Sequence, residues 1–476
     1  MAKPFQDLFN GANNGAALRA LLPTSPFPYR FGTSSHDNFT ANSSRESYFG
    51  GTGTDTVNYE NSTGRVSVNL TTGRGRGGSA HDDTYSSIEN VVGSNFGDAL
   101  TGNNASNTLH GGDGNDTFGG SKGNDQLFGG EGDDDTVVYS NNNKAIDADL
   151  TAHRVNKGAG NGIDRIDGIE NVVGSNYGDT LTGDEKDNEL NGLGGNDTFV
   201  GSKGDDTLIG GEGDDDTVDY SDNDQAISAN LARNAVTKGD GNGTDTISGI
   251  ENVVGSDFND ILTGDEKDNE LDGRGGNDTF YGSKGNDTLI GGDDVGTVDT
   301  VDYGYYGSLD QGVNVNLATN SVDKGDGNGE DSVSGIEGVV GTRFGDVMEG
   351  SEADEFFWGQ GGDDVLSGGA GNDTMTGGLD ADVFKFESGP DENHGTDVIT
   401  DFTVGIDKID LSGTEVDDFE DLLNYEPSDP QSEWGDRYMV QEGDNVVIYT
   451  NDGAEGDSIT LEDVNIDNLN DNDFIF

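Results

Sequence analysis

Gly111-Gly112-Asp113-Gly114-Asn115-Asp116-Thr117-Phe118-Gly119 is the stretch that decides the fold. Glycine fills places 1, 2 and 4, Asp place 6, and a large apolar residue place 8. Gly368-Gly369-Ala370-Gly371-Asn372-Asp373-Thr374-Met375-Thr376 repeats the beat. Glycines at these places permit positive φ and a tight turn whose carbonyls, including those of Gly112 and Gly114, aim inward. The tripeptide around place 8 reads as a short strand with its apolar side chain turned to a core. One nine-residue unit therefore joins a turn, a carboxylate and a core residue.

A longer period lies over the short one. Ile88-Glu89-Asn90-Val91-Val92-Gly93-Ser94 returns at Ile169 and Ile250, 81 residues apart each time. An altered copy begins at Ile336, 86 residues further on, and the degraded motif around 295–300 is the expected place of the extra length. Eighty-one is nine nines, so each long repeat is a whole number of short steps, as in a stacked array. Each long repeat has two parts. Five nonapeptides, starting at Gly93, Gly102, Gly111, Gly120 and Gly129 in the first copy, precede a stretch of alternating apolar and polar residues such as Ile227, Ala229 and Leu231. That alternation predicts half-buried strand, and these stretches are expected to be wider, less regular coils of the same solenoid. All seven Pro (4, 23, 26, 28, 390, 427 and 430) lie outside the array. That fits continuous sheet, because Pro removes a ladder donor.

The expected fold class is all-β, a parallel β-roll or β-solenoid with terminal caps. Residues 1–48 are expected to be an N-terminal cap or docking segment, with a short helix over 5–22. Residues 49–386 are expected to form the array of four long repeats, and 387–476 a C-terminal β cap carrying a secretion signal.

The carboxylate at place 6 beside inward carbonyls is an all-oxygen donor set, which suits calcium, a hard cation taking six to eight oxygens. The expected ligands are Asp55, Asp98, Asp116, Asp125, Asp179, Asp197, Asp206, Asp260, Asp278, Asp287, Asp346, Asp364, Asp373 and Asp382. At Asp133-Asp134-Asp135 and Asp214-Asp215-Asp216 one extra residue leaves the ligand open between Asp134 and Asp135, and between Asp215 and Asp216. Asn stands at place 6 at 107, 188 and 269, Glu at 355 and Gly at 296.

These repeats resemble the hemolysin-type (RTX) calcium-binding repeats. The resemblance implies two nonapeptides per turn of a parallel β-roll, with multiple calcium ions lying between turns. Units n and n+2 would then share an ion, as Asp98 with Asp116, Asp116 with Asp134 or Asp135, and Asp125 with the loop of Asn107. Thr396-Asp397-Val398-Ile399-Thr400-Asp401-Phe402 and Gly405-Ile406-Asp407-Lys408-Ile409-Asp410-Leu411-Ser412 resemble the module that closes the roll in serralysin-type proteases. The ending Asn472-Asp473-Phe474-Ile475-Phe476 resembles a type I secretion signal, and so implies that machinery as a partner.

Composition narrows the function classes. Ninety-four acidic residues face 24 basic ones, for a formal charge of −70. That charge argues against nucleic acid and anionic lipid as partners. Only 30% of residues are apolar, too few for an ordinary core of this length. There is no Cys, so disulfides and thiolate metal sites are excluded. No basic n-region precedes a long apolar stretch, and export without a Sec leader is expected. No apolar run is long enough to cross a bilayer, and membrane insertion is not expected.

No His-Glu-x-x-His occurs, and the five His are scattered. The Gly-x-Ser-x-Gly match Gly119-Gly120-Ser121-Lys122-Gly123 lies inside a nonapeptide and reads as a turn. The chain is therefore expected not to be an enzyme. It is expected to be a secreted calcium-binding structural protein, extracellular or at the cell surface: a surface layer, filament or adhesion rod that self-associates or attaches to cell-surface polysaccharide. The alternative is an extracellular protein that binds or modifies polysaccharide.

Overall fold

Each nonapeptide contributes a strand of three to six residues whose second side chain is buried. Ala99–Thr101 and Thr117–Gly119 bury Leu100 and Phe118, and Thr108–Asp113 buries Leu109. The computed structural model describes residues 28–132, 134–213, 215–292, 296–304, 309–387, 394–414, 416, 418–423, 439–450 and 457–476. The helix expected over 5–22 lies outside the described residues.

Strands pair in parallel with the strand two nonapeptides away. Leu100 is in register with Phe118, and Leu109 with Leu127, each 18 residues on. One coil is therefore two nonapeptides, and alternate strands build two facing ladders. Coils rise about 4.8 Å each, the strand spacing of any sheet. The core between the ladders is one residue deep on each side.

Described residues up to Val218 plus Gly241–Ile250 form one compact unit, and Asp219–Asp240 with Glu251–Phe476 a second. This division falls inside the segment read from the sequence as one array. In the first unit the coils begin with Tyr29–Phe31, Asn38–Thr40 and Ser47–Phe49, which pair at the 18-residue register. They begin within 1–48, where a cap or docking segment was expected. These coils lack the full glycine pattern, but Tyr48 still fills the core position of its strand.

The stretches between nonapeptide blocks differ from the wider coils expected. Each contains an antiparallel meander that replaces one strand of a ladder. Asp147–Asp149 pairs antiparallel with Arg154–Asn156, which pairs antiparallel with Ile163–Asp167. The outer two strands rejoin the parallel ladder through Leu127 with Ile166 and Ala148 with Leu181. The alternating apolar residues mark these strands correctly. Strand direction depends on the two short turns, where His153 (φ 54°), Gly158, Gly160 and Gly162 take left-handed backbone.

With the meander taking the place of one strand, a long repeat makes seven half-turns, an odd number, so successive long repeats exchange ladders. In the first unit Asn90–Val92 pairs with Thr108–Asp113, whereas its counterpart Asn171–Val173 pairs in the other ladder, with Thr136–Val138. The second unit repeats the exchange between Asn252–Val254 and Gly338–Val340. The five extra residues of the last long period divide. Asp278 and Asp299 are 21 residues apart where equivalent pairs are 19, and Asp299 and Glu337 are 38 apart where the counterpart pair is 35. Only the first part lies near 295–300.

At the C-terminus Thr396–Ile399 and Lys408–Gly413 extend the two ladders of the second unit. Met439–Glu442, Asn445–Tyr449 and Ser458–Leu461 form an antiparallel meander joined to the first of these. Phe474–Ile475 pairs in parallel with Ile409 and Asp410, so the final residues are an edge strand of the second ladder.

Candidate calcium-binding sites

The place-6 carboxylates line up in spines, one along each ladder. Asp98 N donates to Asp116 Oδ1 at 2.7 Å, and Asp116 N to Asp135 Oδ1 at 2.7 Å. On the other side Asn107 N donates to Asp125 Oδ1 at 2.9 Å. Units n and n+2 therefore meet, as the resemblance implied. The register question resolves to Asp135 and Asp216, which accept from Asp116 N and Asp197 N. Asp134 and Asp215 are exposed and accept only from Asn115 and Asn196 side chains, because the extra residue is absorbed in the turn.

The second carboxylate oxygen separates the spine residues into classes. In Asp55, Asp116, Asp135, Asp197, Asp278, Asp364, Asp373 and Asp382, and in Glu355, it is buried without a hydrogen-bond partner. Buried polar atoms are nearly always partnered, so these oxygens point to a ligand. Glycine makes the room. A Cβ on Gly111 would stand 1.9 Å from Asp116 Oδ2, and one on Gly368 2.0 Å from Asp373 Oδ2. The carbonyls of Gly112 and Gly114 face the turn one coil on, where a Cβ on Gly130 or Gly132 would meet them at 2.0 and 2.5 Å. Among the described residues no three His, Cys, Asp or Glu side chains converge. A cation here therefore takes most of its oxygens from backbone carbonyls, and the residues present fit calcium.

Asp98, Asp179, Asp260 and Asp346, also expected as ligands, have their second oxygen closed by their own turns. Asp98 accepts from Ser94 N at 2.5 Å, Ser94 Oγ at 2.9 Å and Val66 N at 2.6 Å. Ser175, Ser256 and Thr342 do the same for the other three. A hydroxyl residue at place 2 supplies this closure, and Ser121, Ser202 and Ser283 reach Asp125, Asp206 and Asp287 from the same place. Asn107, Asn188 and Asn269 likewise accept from their own turns and donate to the carbonyls of Glu89, Glu170 and Glu251.

Asp125 and Asp287 meet lysine ammonium groups, at 3.4 Å from Lys157 and 3.1 Å from Lys324. Asp206 accepts from Asn188 N at 3.0 Å. Asp299, Glu89, Glu170 and Glu337 join the spines although the nonapeptide frame missed them. The glutamates were legible as the second residue of every Ile-Glu motif.

These differences predict a contrast. Asp116→Asn is expected to lower calcium stoichiometry by one ion. Asp98→Asn should leave it unchanged but cost about 1–3 kcal/mol through the lost turn acceptor. Equilibrium dialysis and thermal melts of the two variants check this.

Burial pushes the open carboxyls up: Asp135, Asp197 and Asp382 to about 6, Asp116 and Asp278 to about 7, and Asp364 and Asp373 to about 8. Neighbouring carboxylates add to the effect, as Asp346 and Asp382 do at Asp364. A raised carboxyl means that the metal-free fold binds more protons than the unfolded chain. Its contribution is present at acid pH and is lost as pH rises through 6–8. Calcium must displace these protons. Apparent calcium affinity is therefore expected to fall at least about tenfold between pH 8 and pH 5, with protons released on binding in weakly buffered solution.

A hydroxyl–imidazole–carboxylate chain also occurs. His394 bonds Asp397 through Nδ1 at 2.6 Å and Thr450 through Nε2. All three are at most 2% exposed, and the arrangement joins the strand Thr396–Ile399 to the end of Asn445–Tyr449, across the intervening Ser458–Leu461.

The family model of the RTX calcium-binding nonapeptide repeat matches residues 92–127, 101–136, 173–208, 191–218, 254–295 and 349–384. No curated protein matches the chain. Among solved structures, the extracellular lipase LipA from Serratia marcescens aligns at 19% identity over 48% of this chain and 40% of that one, with a TM-score of 0.19. The chain thus spans less than half of that protein, and so loose a superposition says nothing of its activity. What the chain carries between residues 92 and 384 is a set of RTX calcium-binding nonapeptide repeats, on the same turns where the fold buries open carboxylate oxygens.

Proposed function

We propose that this is a secreted structural protein of the cell surface or extracellular matrix, folded by calcium and assembled through its repeats into a layer, filament or adhesive element. The observation that carries this reading is the repetition itself. The same long repeat recurs along the ladders with carboxylate spines that need a cation. Repeated units offer many equivalent faces, and modest contacts then add through multivalency. The resemblance of the C-terminal module supports type I export. Among the described residues no helix is long and apolar enough to cross a membrane. Light scattering and electron microscopy during calcium addition test the reading. Ordered assemblies support it, and a calcium-folded species that stays monomeric at high concentration refutes it.

A second reading rests on a specific surface feature. Phe96, Tyr177 and Phe258, one at place 4 of the first nonapeptide in three long repeats, are 45–47% exposed. Exposed aromatic rings recurring every 81 residues in sequence, with Phe96 and Tyr177 on turns that lead into opposite ladders, suit stacking on sugar rings of an extracellular polysaccharide. Retention on acidic and neutral glycans, lost in the triple alanine variant, would favour that role.

A further inference from the structure

Three long repeats bury a lysine at the same place. Lys157, Lys238 and Lys324 are each 0% exposed and follow the middle strand of a meander. They recur at the long period, in Lys157-Gly158-Ala159-Gly160-Asn161-Gly162, Lys238-Gly239-Asp240-Gly241-Asn242-Gly243 and Lys324-Gly325-Asp326-Gly327-Asn328-Gly329. The ammonium of Lys157 donates to Ser121 O at 2.6 Å and Gly123 O at 3.0 Å, lies 3.4 Å from Asp125 Oδ2, and pairs with Asp164 Oδ1. Ser121, Gly123 and Asp125 are places 2, 4 and 6 of a nonapeptide. These are the places whose carbonyls and carboxylate form the oxygen cradle elsewhere in the array. Lys324 repeats the geometry on Ser283 O at 2.8 Å, Asp287 Oδ2 at 3.1 Å and Asp331.

We propose that Lys157 and Lys324 are tethered cations that take the place of calcium at the turns of Asp125 and Asp287. A buried ammonium is tolerated only when paired and hydrogen-bonded, and here carbonyls and two carboxylates surround it. The oxygen left open in Asp116 is closed in Asp125 by Ser121 Oγ at 2.9 Å together with the lysine, and in Asp287 by Ser283 Oγ at 3.0 Å together with the lysine. The lysine is delivered by the chain, so its occupancy does not depend on free calcium. The meander coils are thereby held at calcium concentrations too low to fill the open turns, and they serve as the seed on which those turns order. The meander that precedes the first long repeat, Ser67–Asn69 to Thr84–Ser86, has no such lysine. There Arg30 reaches Glu46, whose N donates to Asp83 as Asp125 N donates to Asp164, so a side-chain cation again stands beside the spine.

This inference rests on the calcium reading above, and its test separates the two. Calcium bound to the full-length chain at saturation is measured by equilibrium dialysis for the wild type, Lys157→Ala, Lys324→Ala and the double variant. One further ion for each lysine removed is expected, together with a lower melting temperature in chelator. Unchanged stoichiometry in folded variants overturns the proposal. Amine acylation of the wild type, read peptide by peptide, needs no variant. Lys157 and Lys324 should stay unmodified under conditions that label the exposed Lys122, and labelling at the rate of Lys122 also overturns it. Protected lysines in a chain that binds no calcium at all would overturn the calcium reading instead.

Discussion

In excess chelator at pH 8, the far-UV strand signal of the full-length chain is expected to collapse to a small fraction of its value in millimolar calcium, and to return cooperatively on back-titration. Three facts force this outcome. The net charge of −70 opposes any compact state. At this pH the open carboxyls must ionise inside the fold or remain protonated at a cost, since burial has pushed them up to about 6–8. An ionised carboxylate buried without a partner costs several kcal/mol, and the spines hold many. The core cannot compensate, because only 30% of the residues are apolar and each half-turn supplies one interior side chain. Residual structure is expected where lysine replaces metal, so protected amides in chelator should map to the meander coils. Equal strand content with and without calcium would show that the open oxygens are not what holds the array together.

Phe118→Ala is expected to destabilise the calcium-loaded first unit by about 3–5 kcal/mol, the usual cost of removing a fully buried Phe. Phe118 is 0% exposed and stacks between Leu100 and Val137 in one column of the ladder. In a globular core neighbouring side chains relax into such a cavity. In a column one residue deep, coil spacing is fixed by the backbone ladder, so the gap persists. Binding and folding are one equilibrium here, and the loss therefore appears twice: as a lower melting temperature in saturating calcium and as a calcium midpoint shifted upward. Leu379→Ala is a suitable control, because that side chain is 72% exposed and should change neither.

Much of this was legible in the chain. The nonapeptide beat contains the turn and the strand, through its glycine spacing and its apolar place 8, and the register of two units per coil is what the resemblance to RTX repeats implied. The 81-residue period identified the long repeat, and the place-6 residues Asp116, Asp197, Asp278, Asp364, Asp373 and Asp382 were found as spine carboxylates. Alternating apolar residues also marked strands between the blocks. Their antiparallel order was not legible, since alternation is the same in either direction.

What the sequence alone determined is periodic: where turns fall, which side chains point inward, and that a hard cation suits the turns. Tertiary structure decided what each carboxylate meets. Asp98, Asp116 and Asp125 occupy the same place of the same motif. One is closed by the hydroxyl and amide of its own turn, one is left with a bare buried oxygen, and one accepts from the hydroxyl of its own turn and from a lysine 32 residues away in sequence. A motif fixes only the neighbours within its own nine residues. The first oxygen of each aspartate faces out of that window and accepts from Val66, Asp98 or Asn107 N of a neighbouring coil, and the lysine at Asp125 is likewise brought from outside it.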